Sequence, residues 1–193
     1  MNMMSRTPHY WDNVRFTPDV EINVLNLVAA EVANLDRNLQ KKSNQMILKY
    51  GGMSNGVGQM VSDIKQKAQP KGLKVLRIWS HGGPGGQAVT LSPGVNPKGQ
   101  RAGISMANFG EVKPALDQLT PYFAPRGRVE LRGCNVGVGY DGIDLLKVLA
   151  NLWRVDVYAA INSQPIGPID WLGPVVRVTP RGDYVPTSGI PIE

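Results

Sequence analysis

From about residue 43 onward, apolar residues fall in short continuous runs separated by amphipathic stretches, the pattern of buried strands alternating with helices. The strand runs are 45–50, 73–80, 128–131 and 155–160. Between them the apolar spacing predicts helices over 57–69, closed by Pro70, over 109–119, and over 142–152. Pro114 fits the second of these helices if it lies in the first turn. A hairpin is expected from 88–91 with 103–107, around a loop at 93–101, and a glycine-rich loop covers Gly51 to Gly58. Ahead of this body, Val20, Val24, Leu27, Val28, Val32, Leu35 and Leu39 recur at spacings of three and four. That spacing predicts one core-packing helix to about Lys42, started by Asp19 and closed by Lys41 and Lys42. Residues 1–18, with Pro8, Pro18 and the aromatics Tyr10, Trp11 and Phe16, read as an irregular arm. Val175 to Val178 reads as an edge strand before an irregular tail. The expected fold is α/β, a mostly parallel sheet with helices on both faces. It divides into an arm and helix over 1–43 and an α/β domain over 44–193, packed as one unit.

Composition narrows the function classes. At 193 residues and 42% hydrophobic, the chain suits one domain with a substantial core. A single cysteine, Cys134, excludes an internal disulfide and a multi-cysteine zinc or iron–sulfur site, and suits a reducing compartment. No run approaches a membrane span, and the first ten residues lack a signal-peptide core, so a soluble protein is expected, cytoplasmic by default with signal-less export open. The net charge of +6 is dispersed and not interleaved with aromatics, which reads as solubility rather than nucleic-acid binding. The glycine-rich loop has neither the lysine of a P-loop nor GxGxxG spacing, so no nucleotide or other cofactor is expected. No metal is expected either, since Asp141 and Asp144 suit the start of a helix. Trp79, Trp153 and Trp171 read as core or rim packing.

The candidate chemistry sits at two strand ends. The run 73–80 leads into His81-Gly82-Gly83, and 128–132 leads into Gly133-Cys134-Asn135. In open α/β sheets, reacting groups gather outside the carboxyl ends of the strands. An imidazole there can raise the thiolate fraction of a neighbouring cysteine or take its proton during attack, which gives a nucleophile and its acid–base partner. His81-Gly82-Gly83-Pro84-Gly85 also resembles the oxyanion loop of α/β-hydrolases. That chemistry needs a G-x-S-x-G elbow and a late histidine, and neither is present.

With His-Gly first and Gly-Cys second, each after a strand, the body resembles the caspase-like cysteine peptidases. The interval from His81 to Cys134, 134 − 81 = 53 residues, is close to the roughly 50 of caspases. Ser80-His81-Gly82 with Gly133-Cys134-Asn135-Val136-Gly137 is more similar still to DUF4347, a bacterial domain family of unknown function. The resemblance spans about 45–163. It implies a three-layer sandwich and a cysteine endopeptidase acting on a peptide or protein. Cys134 would be the nucleophile and His81 the general acid and base. The N–H groups of Gly82 and Cys134 would hold the oxyanion, and Asn162, Ser163 and Gln164 would shape the pocket before the scissile bond. Arg132-Gly133 stands where caspases carry Gln-Ala, so aspartate specificity is not implied. The alternative is a non-catalytic interaction module of the same fold, in a bacterial effector or adhesion system. Oligomeric state is left open.

Overall fold

The computed structural model describes residues 20–26, 29–40, 45–49, 56–84, 86–88, 103–164 and 170–187. The expected arm over 1–18, residues 51–55 of the glycine-rich loop and the loop at 93–101 lie outside them. In chain order the elements are β1 (Val20–Asn26), α1 (Ala29–Leu39), β2 (Gln45–Lys49), α2 (Val57–Lys67), β3 (Leu73–Ser80), β4 (Gly82–Gly83), β5 (Gly86–Ala88) and β6 (Gly103–Ser105). They continue with α3 (Phe109–Asp117), β7 (Phe123–Leu131), α4 (Gly139–Trp153), β8 (Asp156–Ala160), β9 (Val175–Val178) and β10 (Tyr184–Thr187).

Seven strands form one sheet in the order β10-β9-β8-β7-β3-β1-β2. The pairs from β2 through β8 are parallel, while β9 and β10 join antiparallel. Helices α2, α3 and α4 pack on one face, where Val57, Met60, Ile64, Leu116, Leu146 and Leu149 meet Ile22, Val24, Leu76, Ile78, Leu131 and Val157. On the opposite face, Leu35 and Leu39 of α1 close over Leu25 and Trp79. The molecule is thus an α/β sandwich with helices on both faces. A second small antiparallel sheet, β4-β5-β6, follows β3 directly and realises the base of the expected hairpin.

Residues 20–26 depart from the expected single helix. They form a strand between β3 and β2, and the helix begins only at Ala29. A spacing of four satisfies both a helical period and the two-residue period of a strand. The alternation Val20-Glu21-Ile22-Asn23-Val24, rich in β-branched residues, settles on the strand. Ile22 and Val24 enter the main core, and Glu21 and Asn23 turn to the other face. The expected division after residue 43 therefore runs between two paired strands, β1 and β2. Two smaller expectations are also corrected. Pro114 lies in the second turn of α3, not the first. β9 is interior to the sheet, and the edge is β10, where Pro186 sits as proline does on edge strands.

The strand order reverses between β1 and β3. The chain passes outward from β1 to β2, then returns to β3 and proceeds through β7 and β8 in the other direction. A crevice at the carboxyl ends is expected at such a switch point. β3 borders it and β7 is its neighbour.

Candidate functional site

The carboxyl ends of β3 and β7 are joined in register, and beyond the ladder the Arg132 N–H still donates to the Ile78 carbonyl at 2.9 Å. The next residues of both strands touch. A Cβ added at Gly82 would lie 2.7 Å from Val136 Cγ2 and 3.0 Å from both the Cys134 carbonyl oxygen and Gly133 Cα. The residue after His81 is therefore packed directly on the segment that carries Cys134. The His81 side chain is exposed, while Ser80 is buried and donates its hydroxyl to the His81 carbonyl at 3.3 Å.

Cys134 is half-buried in a tight turn. Asn135 adopts a left-handed φ of 57°, a conformation asparagine tolerates better than most residues. The turn is stitched to the end of β8, since the Asn135 N–H donates to the Asn162 carbonyl at 3.0 Å and the Gly137 N–H to the Ala160 carbonyl at 2.9 Å. Gly142, in the first turn of α4, presses against the backbone of Val136 and Gly137 so closely that a Cβ there would meet Gly137 C at 2.6 Å. The start of α4 is thereby fixed against the cysteine turn.

The segment after β8 completes the arrangement. The Gln164 N–H donates to Cys134 Sγ at 3.3 Å, and the thiol donates to the Gln164 carbonyl at 3.4 Å. Gln164 and Asn162 spend their side chains locally. Gln164 Nε2 donates to the Leu172 carbonyl at 2.7 Å and to Asn162 Oδ1 at 2.6 Å, and its Oε1 accepts from the Leu172 N–H at 3.1 Å. Asn162 Nδ2 donates to the Leu172 carbonyl at 2.7 Å. Ser163, between them, is exposed. The structure thus brings His81-Gly82, Cys134 and Asn162 to Gln164 to three adjacent strand ends, with main-chain contacts linking the first to the second and the second to the third.

Beneath the site lies an ionic network that motif reasoning missed. Glu130 is 1% exposed and accepts bonds from Arg77 Nε at 3.1 Å, Arg128 Nε at 2.9 Å and Arg132 Nε at 2.8 Å. Arg77 reaches on to Glu21 at 2.6 Å, and Glu21 accepts from Gln45 at 2.9 Å. Arg132, two residues before Cys134, is stacked on two indoles, its Cζ 3.8 Å from the Trp171 ring centroid and 4.9 Å from that of Trp79. Trp79 in turn donates to Asn23 at 3.0 Å. Burial would raise the Glu130 pKa, but Arg132, Arg77 and Arg128 outweigh it and hold the carboxyl at about 2. The signal was present as Arg128, Glu130 and Arg132 at alternate positions of one strand, all charged and all on one face.

No curated protein and no solved structure matches the chain. A family model does match, described as a domain of unknown function (DUF4347), over residues 22–170. That match runs from within β1 to beyond β8, and includes both strand ends that carry His81 and Cys134. The chain belongs to the DUF4347 family.

Proposed function

We propose that the protein is a cysteine endopeptidase related to the caspase-like peptidases, with Cys134 as nucleophile and His81 as its acid–base partner. The observation that carries this reading is the packing of Gly82 on Gly133, Cys134 and Val136, which holds a histidine-bearing and a cysteine-bearing strand end together beside the switch point of the sheet. His81 removes the thiol proton as sulfur attacks the substrate carbonyl, so the bond now made by the thiol to the Gln164 carbonyl is given up. The Gln164 N–H stays with the sulfur and favours its anionic form through a charge-assisted bond. The tetrahedral oxyanion falls to the N–H groups of Gly82 and Cys134. His81 returns the proton to the leaving amine, and a water activated by the same imidazole hydrolyses the thioester.

A second reading, a non-catalytic interaction module, is favoured by one observation. The Cys134 thiol is already satisfied as donor and acceptor by the Gln164 main chain, as a structural cysteine would be. Turnover of a mixed peptide library, followed by mass spectrometry, separates the two. Cys134→Ala is expected to abolish cleavage and His81→Ala to lower it at least about 100-fold, with unfolding free energies within roughly 1 kcal/mol of the parent. A parent protein that cleaves nothing, combined with a Cys134→Ala variant that melts well below it, would leave only the interaction module.

A further inference from the structure

We propose that the groove between α3 and α4 is a docking site for an acidic peptide segment of a partner protein, one that carries leucine or phenylalanine between carboxylate side chains. The proposal goes beyond the peptidase reading and does not depend on it. A cavity of about 610 Å³ opens between the two helices, a size at which ligand sites are ordinarily found. Lys113 and Asp117 line it from α3, one turn apart, and Lys147, Asn151 and Arg154 from the last turns of α4 and its carboxyl cap. The apolar lining is Phe109 on α3, Val148 and Leu152 on α4, and Pro180 in the turn between β9 and β10. α4 leaves the cysteine turn at Gly139 and carries its lining residues to the other end of the sheet, where Val178 pairs with Val157 near the start of β8. The groove is therefore remote from Cys134.

The walls are fixed from below. Trp153 Nε1 donates to the Leu116 carbonyl at 2.9 Å and the Thr120 hydroxyl to the Leu152 carbonyl at 3.1 Å, so the two helices are joined at their carboxyl ends. Phe109, Val148 and Leu152 are half-buried and pack downward on the main core, which leaves part of each open to the groove. An apolar floor between two helices is the shape that takes one apolar face of a peptide.

Charge decides the occupant. Lys113, Lys147 and Arg154 line the groove against one carboxylate, Asp117. Lys113 and Arg154 have no ion-pair partner among the described residues. Lys147 lies 3.8 Å from Asp144, a pair exposed on both sides and weak enough to exchange. Glu111, two residues from both Phe109 and Lys113, falls on the far side of α3. Beyond Pro180, Arg181 adds an exposed cation, while Asp183 accepts the Thr179 hydroxyl at 2.9 Å. Exposed Asn151 can donate to a carboxylate as well. A compact anion such as phosphate is poorly matched, because the groove lies at the carboxyl ends of two helices, where carbonyls and not free N–H groups are presented. A nucleic-acid backbone calls for a continuous basic track, which Asp117 and Asp144 interrupt. Carboxylates spaced along a chain, with an apolar side chain between them, match cations on two walls above an apolar floor.

The test reads binding of fluorescent capped octapeptides to the full chain by anisotropy, with Cys134→Ala protein run in parallel so that turnover cannot imitate release. A peptide with central leucine or phenylalanine between glutamates is expected to bind about 10-fold tighter than its counterparts with glutamine for glutamate or serine for the apolar residue. Lys113→Gln and Lys147→Gln change exposed positions, should melt with the parent, and are each expected to weaken the acidic peptide about 3-fold. Lys113→Glu combined with Lys147→Glu should weaken it at least about 10-fold and transfer the preference to a lysine-flanked peptide. Lys67→Glu, an exposed position at the end of α2, controls for charge and should leave binding within about twofold. No binding of any acidic peptide, equal binding of the serine counterpart, or an affinity untouched by the lysine variants would overturn the proposal. Displacement by equimolar inorganic tripolyphosphate would also overturn it, by showing attraction through charge alone. Binding lost in Cys134→Ala but kept in the lysine variants would place the peptide at the cysteine instead. Absence of cleavage in the parent bears only on the peptidase reading, since the groove is read without turnover.

Discussion

Replacing Glu130 by alanine is expected to destabilise the protein by about 3–5 kcal/mol, the usual cost of removing one partner from a buried ion pair. Arg77 and Arg132 are 4% and 7% exposed, and with Arg128 they converge on this one carboxylate. Without it, two buried guanidinium groups face each other across adjacent strands in a medium that screens them poorly. Urea titration measures the effect. Lys147→Ala, which breaks a pair with Asp144 that is exposed on both sides, is the control and should cost no more than about 0.5 kcal/mol. A Glu130 variant as stable as this control would mean that the network contributes nothing to folding.

The same group predicts an acid limb. Its folded pKa of about 2 lies below the ordinary glutamate value of 4.5, so the folded state holds the carboxylate more tightly ionised than the unfolded chain does. The associated stability is fully present above about pH 4.5 and is lost as pH falls through the interval toward 2. The shift corresponds to roughly 3 kcal/mol. Unfolding free energies measured at successive pH values should decline over this window in the parent, and the part of the decline due to this residue should be missing in Glu130→Gln.

The network and the site together show what a single chain discloses. β3, β8, α2 and α4 were legible because their apolar runs have one interpretation. β1 was not, since Val20 and Val24 are four apart and fit either period, and only the sheet decides that Asn23 pairs with Arg77. β10 carries no burial period, as Tyr184, Val185 and Pro186 are all exposed, so nothing in its residues marks it as the edge. At the site, the sequence places a histidine and a cysteine at strand ends and Gln164 in a pocket-shaping segment, but gives no sign that the Gln164 main chain bonds the thiol from 30 residues away. Glu130 illustrates a signal that motifs pass over. A charged residue inside an otherwise apolar run demands a partner, and the partners at Arg128 and Arg132 were two residues away on the same face.

Gly82→Ala is expected to lower kcat/KM of the proposed peptidase by about 100-fold or more, because displacements near 1 Å between reacting groups carry penalties of that size. The new methyl would meet Val136 Cγ2 at 2.7 Å, and main-chain atoms of Cys134 and Gly133 at 3.0 Å. Val136 is fully buried and β-branched, so it has little freedom to turn aside. The two strand ends must separate, which should also cost about 1–3 kcal/mol of stability, as overpacking does. Gly83→Ala is the matched comparison one residue further on. A Cβ there meets nothing within 4 Å, so stability should hold within about 0.5 kcal/mol and kcat/KM within about twofold. Full activity in Gly82→Ala would show that the contact between the strand ends does not position His81 for Cys134. Equal losses in both variants would instead point to a requirement for flexibility across the whole glycine pair.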